Sequence, residues 1–431
     1  MTTVLRHARL VTMNGAMDYF SDGFIAFSGD TILAVDDEKN YCAFPDAQET
    51  NMHGSIVLPA FINCHTHLGM TAFRSLGDDM PDRLNRYLFP LENKCMTEEL
   101  VYASCRVGMA ELLLSGTASA LDMYYFEDAV IQAAHEMHLR LWAGETLLDA
   151  PHCDSCSFED GIERIEQLLK KTDSTTKIVC APHAPYSVST EHLKQTAAFA
   201  KTSGMLWTMH VSEMPREIKA YREKNHCTPI AYLAQNNLLD NNLLAAHCIY
   251  TEDNDIHLLA DSGTTVVHCP VANAKSAKGV ARIRDMIQNG TAVTLGTDGP
   301  ASGNTLDMFT QMKSAVIMQK NLLSDRSAMP AADIVRLATC CAGKALQSPI
   351  GMLTPGYKAD ILSLSVSEPN MIPVHDVYSV IVYSAQVQNV QHVWVNGIQA
   401  VKNHALCSTP LSSIARDFES ASAAFNKAAK A

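Results

Sequence analysis

No stretch of the 431 residues approaches the ~20 consecutive apolar residues of a membrane span, which argues against a helical membrane protein. Basic charge is scarce: 33 Lys and Arg against 46 Asp and Glu leave a net charge of −13. A chain without a basic surplus lacks the clustered cations that hold nucleic-acid phosphates, so no nucleic-acid partner is expected. Met1–Asn14 alternates like a strand and has no apolar run ahead of a small-residue cleavage site, so no secretory leader is expected. No short-period repeat or low-complexity segment occurs. The 13 cysteines are scattered and odd in number, unlike a disulfide framework. Reduced thiols and a cytoplasmic location are the expectation. One close pair, Cys153-Asp154-Ser155-Cys156, has no second pair to complete a zinc site.

What is present is globular: 47% hydrophobic and 18% charged residues, enough to bury a sizeable core. Both ends of the chain read as short strands between turns. At the start these are Thr3–Met13, Gly23–Ser28 and Thr31–Val35; near the end, Asp360–Ser365, Val377–Tyr383 and Val390–Val395. Residues 1–56 and 353–409 are therefore expected to pair into one small β-sandwich domain, with 410–431 as a terminal surface helix. Between them, eight apolar runs alternate with helical stretches: Ser55–Asn63, Ala118–Met123, Leu139–Gly144, Lys177–Ala181, Met205–His210, Leu243–His247, Thr264–His268 and Ala292–Gly296. Glu98–Ser115, capped by Thr97 and stopped by Gly116, and Glu191–Ser203 are two of the helices. Strand–helix alternation implies a parallel sheet, and eight units suit an α/β fold, a (β/α)8 TIM barrel over residues 57–352.

Chemistry-bearing side chains gather at the C-terminal ends of the expected barrel strands, where active sites of this architecture sit. The first run ends in His65-Thr66-His67, whose imidazoles two residues apart share one side of an extended chain. The fifth ends in His210-Val211-Ser212-Glu213, the sixth in His247-Cys248, the eighth in Thr297-Asp298-Gly299. Imidazole nitrogens and a carboxylate oxygen converging on one axis suit a borderline divalent ion such as zinc with an open position. Such an ion acidifies a bound water toward a pKa of ~7. Glu213, three residues beyond His210, can reach over the ion without ligating it, the place of a general acid/base. An apolar site is expected to raise its pKa. The competing structural role is a solvated carboxylate opening the helix Met214–Lys224.

These motifs resemble the amidohydrolase superfamily over almost the whole chain. Several stretches resemble more closely its methylthioadenosine/S-adenosylhomocysteine deaminases and related triazine hydrolases: His65 to Asp79, Phe89-Pro90-Leu91-Glu92, Ala181-Pro182-His183-Ala184-Pro185-Tyr186, Gly296 to Met308, and Pro355 to Ile361. The resemblance implies His65, His67, His210 and Asp298 as ligands of one divalent metal per chain, zinc first, with iron or manganese as alternatives. It implies that Glu213 protonates the ring nitrogen beside the attacked carbon and that Asp298 relays a proton to the leaving ammonia. It implies that His247 hydrogen-bonds the developing tetrahedral centre, and that Glu92 and His183 bind substrate, Glu92 through ribose hydroxyls. Two departures stand out. The usual His-Asn-Pro motif after strand 7 reads His268-Cys269-Pro270-Val271-Ala272-Asn273, and Thr146–Ser157 lacks the substrate-binding Arg of relatives, offering His152, Cys153 and Cys156 instead.

The activity implied is hydrolytic deamination of an adenine nucleoside at C6, with 5′-methylthioadenosine first and S-adenosylhomocysteine, 5′-deoxyadenosine and adenosine behind it. The alternative is the same chemistry on a triazine, guanine, pterin or aminopurine. The expected partner is a small-molecule substrate, with no membrane and with homo-oligomers implied by the resemblance.

Overall fold

The computed structural model describes residues 2–430. Eight strands form the barrel: Phe61–Thr66, Thr117–Tyr124, Arg140–Leu147, Thr176–Pro182, Trp207–Val211, Leu243–His247, Thr265–His268 and Ala292–Leu295. Each pairs in parallel with its sequence neighbour. The seam between last and first is closed beyond the strands. Thr297 and Asp298 N–H groups both donate to His65 O, at 3.1 and 3.0 Å. Asn63 Nδ2 donates to Thr297 Oγ1 at 2.7 Å. Gly296 permits this approach, because a Cβ there would lie 2.9 Å from both His65 Cβ and His65 O.

The chain ends build a separate nine-stranded sheet. Its order runs Ala405–Leu406, Ile398–Lys402, Val390–Val395, Ile361–Leu364, Ile56–Pro59, Thr2–Val11, Tyr19–Ser28, Thr31–Asp37, with Gln48–Asn51 also beside Thr2–Val11. The apolar run Ser55–Asn63 is not one strand but two. Ile56–Pro59 pairs antiparallel with Ile361–Leu364 in this outer sheet, and Phe61–Thr66 enters the barrel after Ala60 donates to Asp360 O at 3.0 Å. One unbroken hydrophobic pattern serves both sheets because both its faces are buried along its whole length.

Val377–Tyr383, expected as a strand, is helical: Val377–Ser379 continues into a single π-turn over Val380–Ser384. Asp376 caps it by accepting from Ser379 N at 2.6 Å, and Val377, Val380 and Ile381 bury one face against the helices Met308–Leu323 and Ala331–Leu337. A cap and a tertiary face override the β-branched composition here. The helix Glu98–Leu114 starts where Thr97 Oγ1 accepts from Leu100 N at 3.3 Å, as the cap residue predicts. The C-terminal segment is helical but forms two helices, Leu411–Ala421 and Ala423–Ala429. The second is no bare surface element: Phe425 is buried edge-on against Phe73 with ring centroids 4.7 Å apart, and Ala429 O accepts from the Tyr87 hydroxyl. No helix among the described residues is long and apolar enough to cross a membrane.

Candidate active site

Strand ends deliver the site. His65, the last but one residue of the first barrel strand, is fully buried, and neither ring nitrogen has a hydrogen-bond partner. An orphaned buried imidazole is costly unless something outside the protein completes it. His67 Nδ1 donates to Met123 O at 2.5 Å, and His210 Nδ1 donates to His183 O at 2.7 Å. Each ring therefore turns its Nε2 inward, as metal-binding histidines do when a carbonyl fixes the other nitrogen. The two Nε2 atoms lie 3.4 Å apart. Asp298 Oδ1 stands 3.1 Å from His67 Nε2 and 3.8 Å from His65 Nε2. The ligand atoms of His65, His67 and Asp298 fall within 4.8 Å of one another, as do those of His65, His210 and His247. The donor set and the orphaned nitrogens fit a divalent cation.

The backbone turns sharply to aim these groups. Ser212, His247 and Asp298 hold positive φ of 51°, 73° and 58°. Left-handed geometry at three non-glycine residues costs on the order of 1–3 kcal/mol each and is found where a site demands it. Electrostatics follow from the crowding. Burial and neighbouring charges push His65 and His210 well below the ordinary imidazole range, which leaves their lone pairs free. Burial acts the same way on His67, but Asp298 outweighs it and raises His67 to about 9.

Glu213 is buried, not a solvated helix opener. Glu217 holds the turn, accepting from Ser212 N at 3.0 Å and Glu213 N at 2.8 Å. The expectation of a raised Glu213 pKa does not hold. Burial does push it up, but His247, Lys278 and His210 overcome burial and hold it at about 2. Lys278, whose ammonium pairs with Glu213 Oε1, is one of two residues that sequence reasoning missed. It lies 65 positions away on the loop after strand 7, and no spacing rule connects the two. Asn273 was missed as well: its Oδ1 accepts from His247 Nδ1 at 2.9 Å, which turns His247 Nε2 toward Glu213 Oε1, 3.6 Å away. Its signal was available, since it closes the motif after strand 7.

The remaining expected residues share the same cavity. Glu92, His183, Glu213, His247, Lys278 and Asp298 line it, with Met70, Leu84, Leu88, Phe89, Met123, Tyr124 and Tyr125 as apolar wall. Glu92 is buried, accepts from Tyr124 Oη at 2.8 Å and is pushed up to about 7 by burial, against the pull of that hydrogen bond. His183 hydrogen-bonds Ser187 Oγ at 2.8 Å and is driven down to about 4 by burial. Cys153 and Cys156 form no disulfide.

The model of the amidohydrolase family matches residues 56–399. A 5-methylthioadenosine/S-adenosylhomocysteine deaminase from Syntrophus aciditrophicus is 33% identical over 411 residues, covering 94% of this chain and 93% of that protein. A 5′-deoxyadenosine deaminase from Methanothermobacter thermautotrophicus is 36% identical over 350 residues, covering 80% and 81%. Among solved structures, an adenosine deaminase from Xanthomonas campestris with bound zinc superposes with a TM-score of 0.95 at 26% identity, covering 99% of this chain and 98% of that one.

Proposed function

The chain belongs to the amidohydrolase family, and we propose that it is a zinc-dependent deaminase of adenine nucleosides, with 5′-methylthioadenosine, 5′-deoxyadenosine and adenosine as substrates and S-adenosylhomocysteine behind them. It is a hydrolase of C–N bonds in cyclic amidines. The observation that carries the nucleoside reading is one cavity lined by both the His–Asp cluster and a buried, hydroxyl-bonded Glu92. A carboxylate suits two vicinal ribose hydroxyls, and a substrate without a sugar gives it nothing to bind.

His65, His67, His210 and Asp298 would hold the ion, which when bound supplies an acidified water as nucleophile. Glu213 rests ionised beside Lys278, so it acts first as a base: it takes one water proton and delivers it to ring N1 as oxygen adds to C6. Asp298 carries the second proton to the departing amine, and the products are the 6-oxo nucleoside and ammonia. His247, oriented by Asn273, presents its Nε2 to the oxygen on the tetrahedral carbon, a prearranged polar contact at the reacting centre. Thirteen cysteines, none paired among the described residues, favour a reducing compartment such as the cytoplasm.

The test is ultraviolet spectroscopy of zinc-loaded protein with 5′-methylthioadenosine, following adenine as it becomes hypoxanthine. Conversion is expected, and Glu213→Gln should lower kcat by about 10²–10⁴. No conversion by a protein carrying one ion per chain would discard the nucleoside and leave a hydrolase of another N-heterocycle.

A further inference from the structure

We propose that the chain carries a second cation site, built from His152, Cys153 and Asp154 and separate from the His–Asp cluster, for a thiophilic divalent ion such as zinc or cadmium. The three residues lie on the loop between the third barrel strand, Arg140–Leu147, and the helix Phe158–Leu168. One ligand atom from each lies within 4.8 Å of the other two. Zinc bonds of about 2.0–2.3 Å set neighbouring ligand atoms roughly 3–4 Å apart, so the three donors need little movement to share an ion. His152 Nδ1 and Asp154 Oδ1 already stand 2.9 Å apart, on side chains 3% and 0% exposed, and neither atom takes part in a hydrogen bond. A buried nitrogen and a buried oxygen that face each other without a hydrogen bond are costly for protein atoms alone and suit a shared cation.

The surroundings fix these donors and leave the ligand atoms free. Asp154 commits its other oxygen, Oδ2, which accepts from Phe126 N at 2.5 Å and from the Arg164 guanidinium at 3.2 Å. Arg164 is itself divided between Asp154 and Glu145, which lies 3.1 Å away and counters its charge beside the site. The His152 ring packs on Tyr125, centroids 4.7 Å apart, and its backbone N donates to Ser155 O at 2.9 Å. Outer contacts that orient the donors in this way are the mark of a built metal site. Cys153 is half-buried and in no disulfide. It supplies the sulfur: on binding, its thiol gives its proton to the buffer and the thiolate bonds the ion. A sulfur donor selects thiophilic ions over magnesium or calcium. Cys156 is exposed and stands outside the group. Three protein donors hold an ion more weakly than four, so dialysis empties this site while the His–Asp cluster stays filled.

The experiment titrates cadmium into the zinc-loaded full chain under a phosphine reductant and follows the ultraviolet charge-transfer band of a cadmium–thiolate bond. The His–Asp cluster contains no sulfur, so cadmium that merely replaces zinc there gives no such band. A saturable band formed by one cadmium per chain is expected. Cys153→Ser should remove it. His152→Phe, which keeps a ring against Tyr125 and deletes the nitrogen donor, should weaken its formation by at least about tenfold. Cys156→Ser should leave it as it was. The variants are compared at unchanged Tm, and Cys153→Ser, a change of one atom, keeps the test decisive should His152→Phe fail to fold. Four results would each overturn the proposal: no saturable band in the unaltered chain, a band that survives Cys153→Ser, one unmoved by His152→Phe, or one lost with Cys156→Ser.

Discussion

His65 is the residue on which the site depends most plainly. Both its nitrogens are buried without a partner, an arrangement that protein atoms alone leave unsatisfied. His65→Ala should therefore abolish stoichiometric metal binding, measured as ions per chain after dialysis, and activity with it; retention of one ion per chain would remove His65 from the ligand set. Glu92 gives a pH prediction. Its carboxyl is raised to about 7, so the acceptor form is lost as pH falls through that value. If it binds ribose, KM for a nucleoside should rise between pH 8 and pH 6. Glu92→Gln should raise KM by roughly 10- to 100-fold, the worth of a hydrogen bond to a charged group, while sparing a free base. Lys278 gives the third. Burial raises the Glu213 pKa and Lys278 is among the charges that lower it, so Lys278→Met should move the acidic limb of the kcat/KM profile upward. An unmoved limb would show that Lys278 does not tune this carboxylate.

At the scale of elements, two attachments tie the barrel to segments outside it, and the first of them reaches the site. The helix Ala423–Ala429 sets Phe425 against Phe73 and binds the Tyr87 hydroxyl, and Tyr87 lies in the π-helical turn Leu84–Leu88 that leads into the helix bearing Glu92. Phe425→Ala removes a fully buried ring and should destabilise the protein by about 3–5 kcal/mol, read from denaturant unfolding. The second attachment joins the two sheets. Arg140 opens the third barrel strand and meets Asp360 at 2.9 Å, both nearly inaccessible, with Asn396 Oδ1 accepting from the same guanidinium at 2.9 Å. Arg140→Ala should cost about 3–5 kcal/mol, because it strands a buried carboxylate rather than merely deleting a contact.

For the whole molecule, a cation that binds only the folded chain stabilises it by mass action. Zinc should raise the Tm, a chelator should reverse the rise, and His65→Ala should be insensitive to both. The barrel makes this coupling strong, because the four proposed ligands come from positions 65 to 298 and meet only when strands one, five and eight are closed into one sheet. Unfolding any part of the ring disperses them.

Local pattern reached a long way into this protein. Eight apolar runs at regular spacing, a Thr97 cap, and histidines and an aspartate at strand ends are properties of short windows, so the barrel, the strand pairing order and the His–Asp cluster could be read without coordinates. Long-range contact decided the rest. Whether Ser55–Asn63 is one strand or two depends on Asp360, three hundred positions away, and whether Val377–Tyr383 is strand or helix depends on the helices it covers. The charge state of Glu213 depends on Lys278, which no periodicity places beside it. Periodicity is set by backbone geometry and travels with the sequence, whereas the pKa of a buried group is set by whichever charges the completed fold brings within a few ångströms.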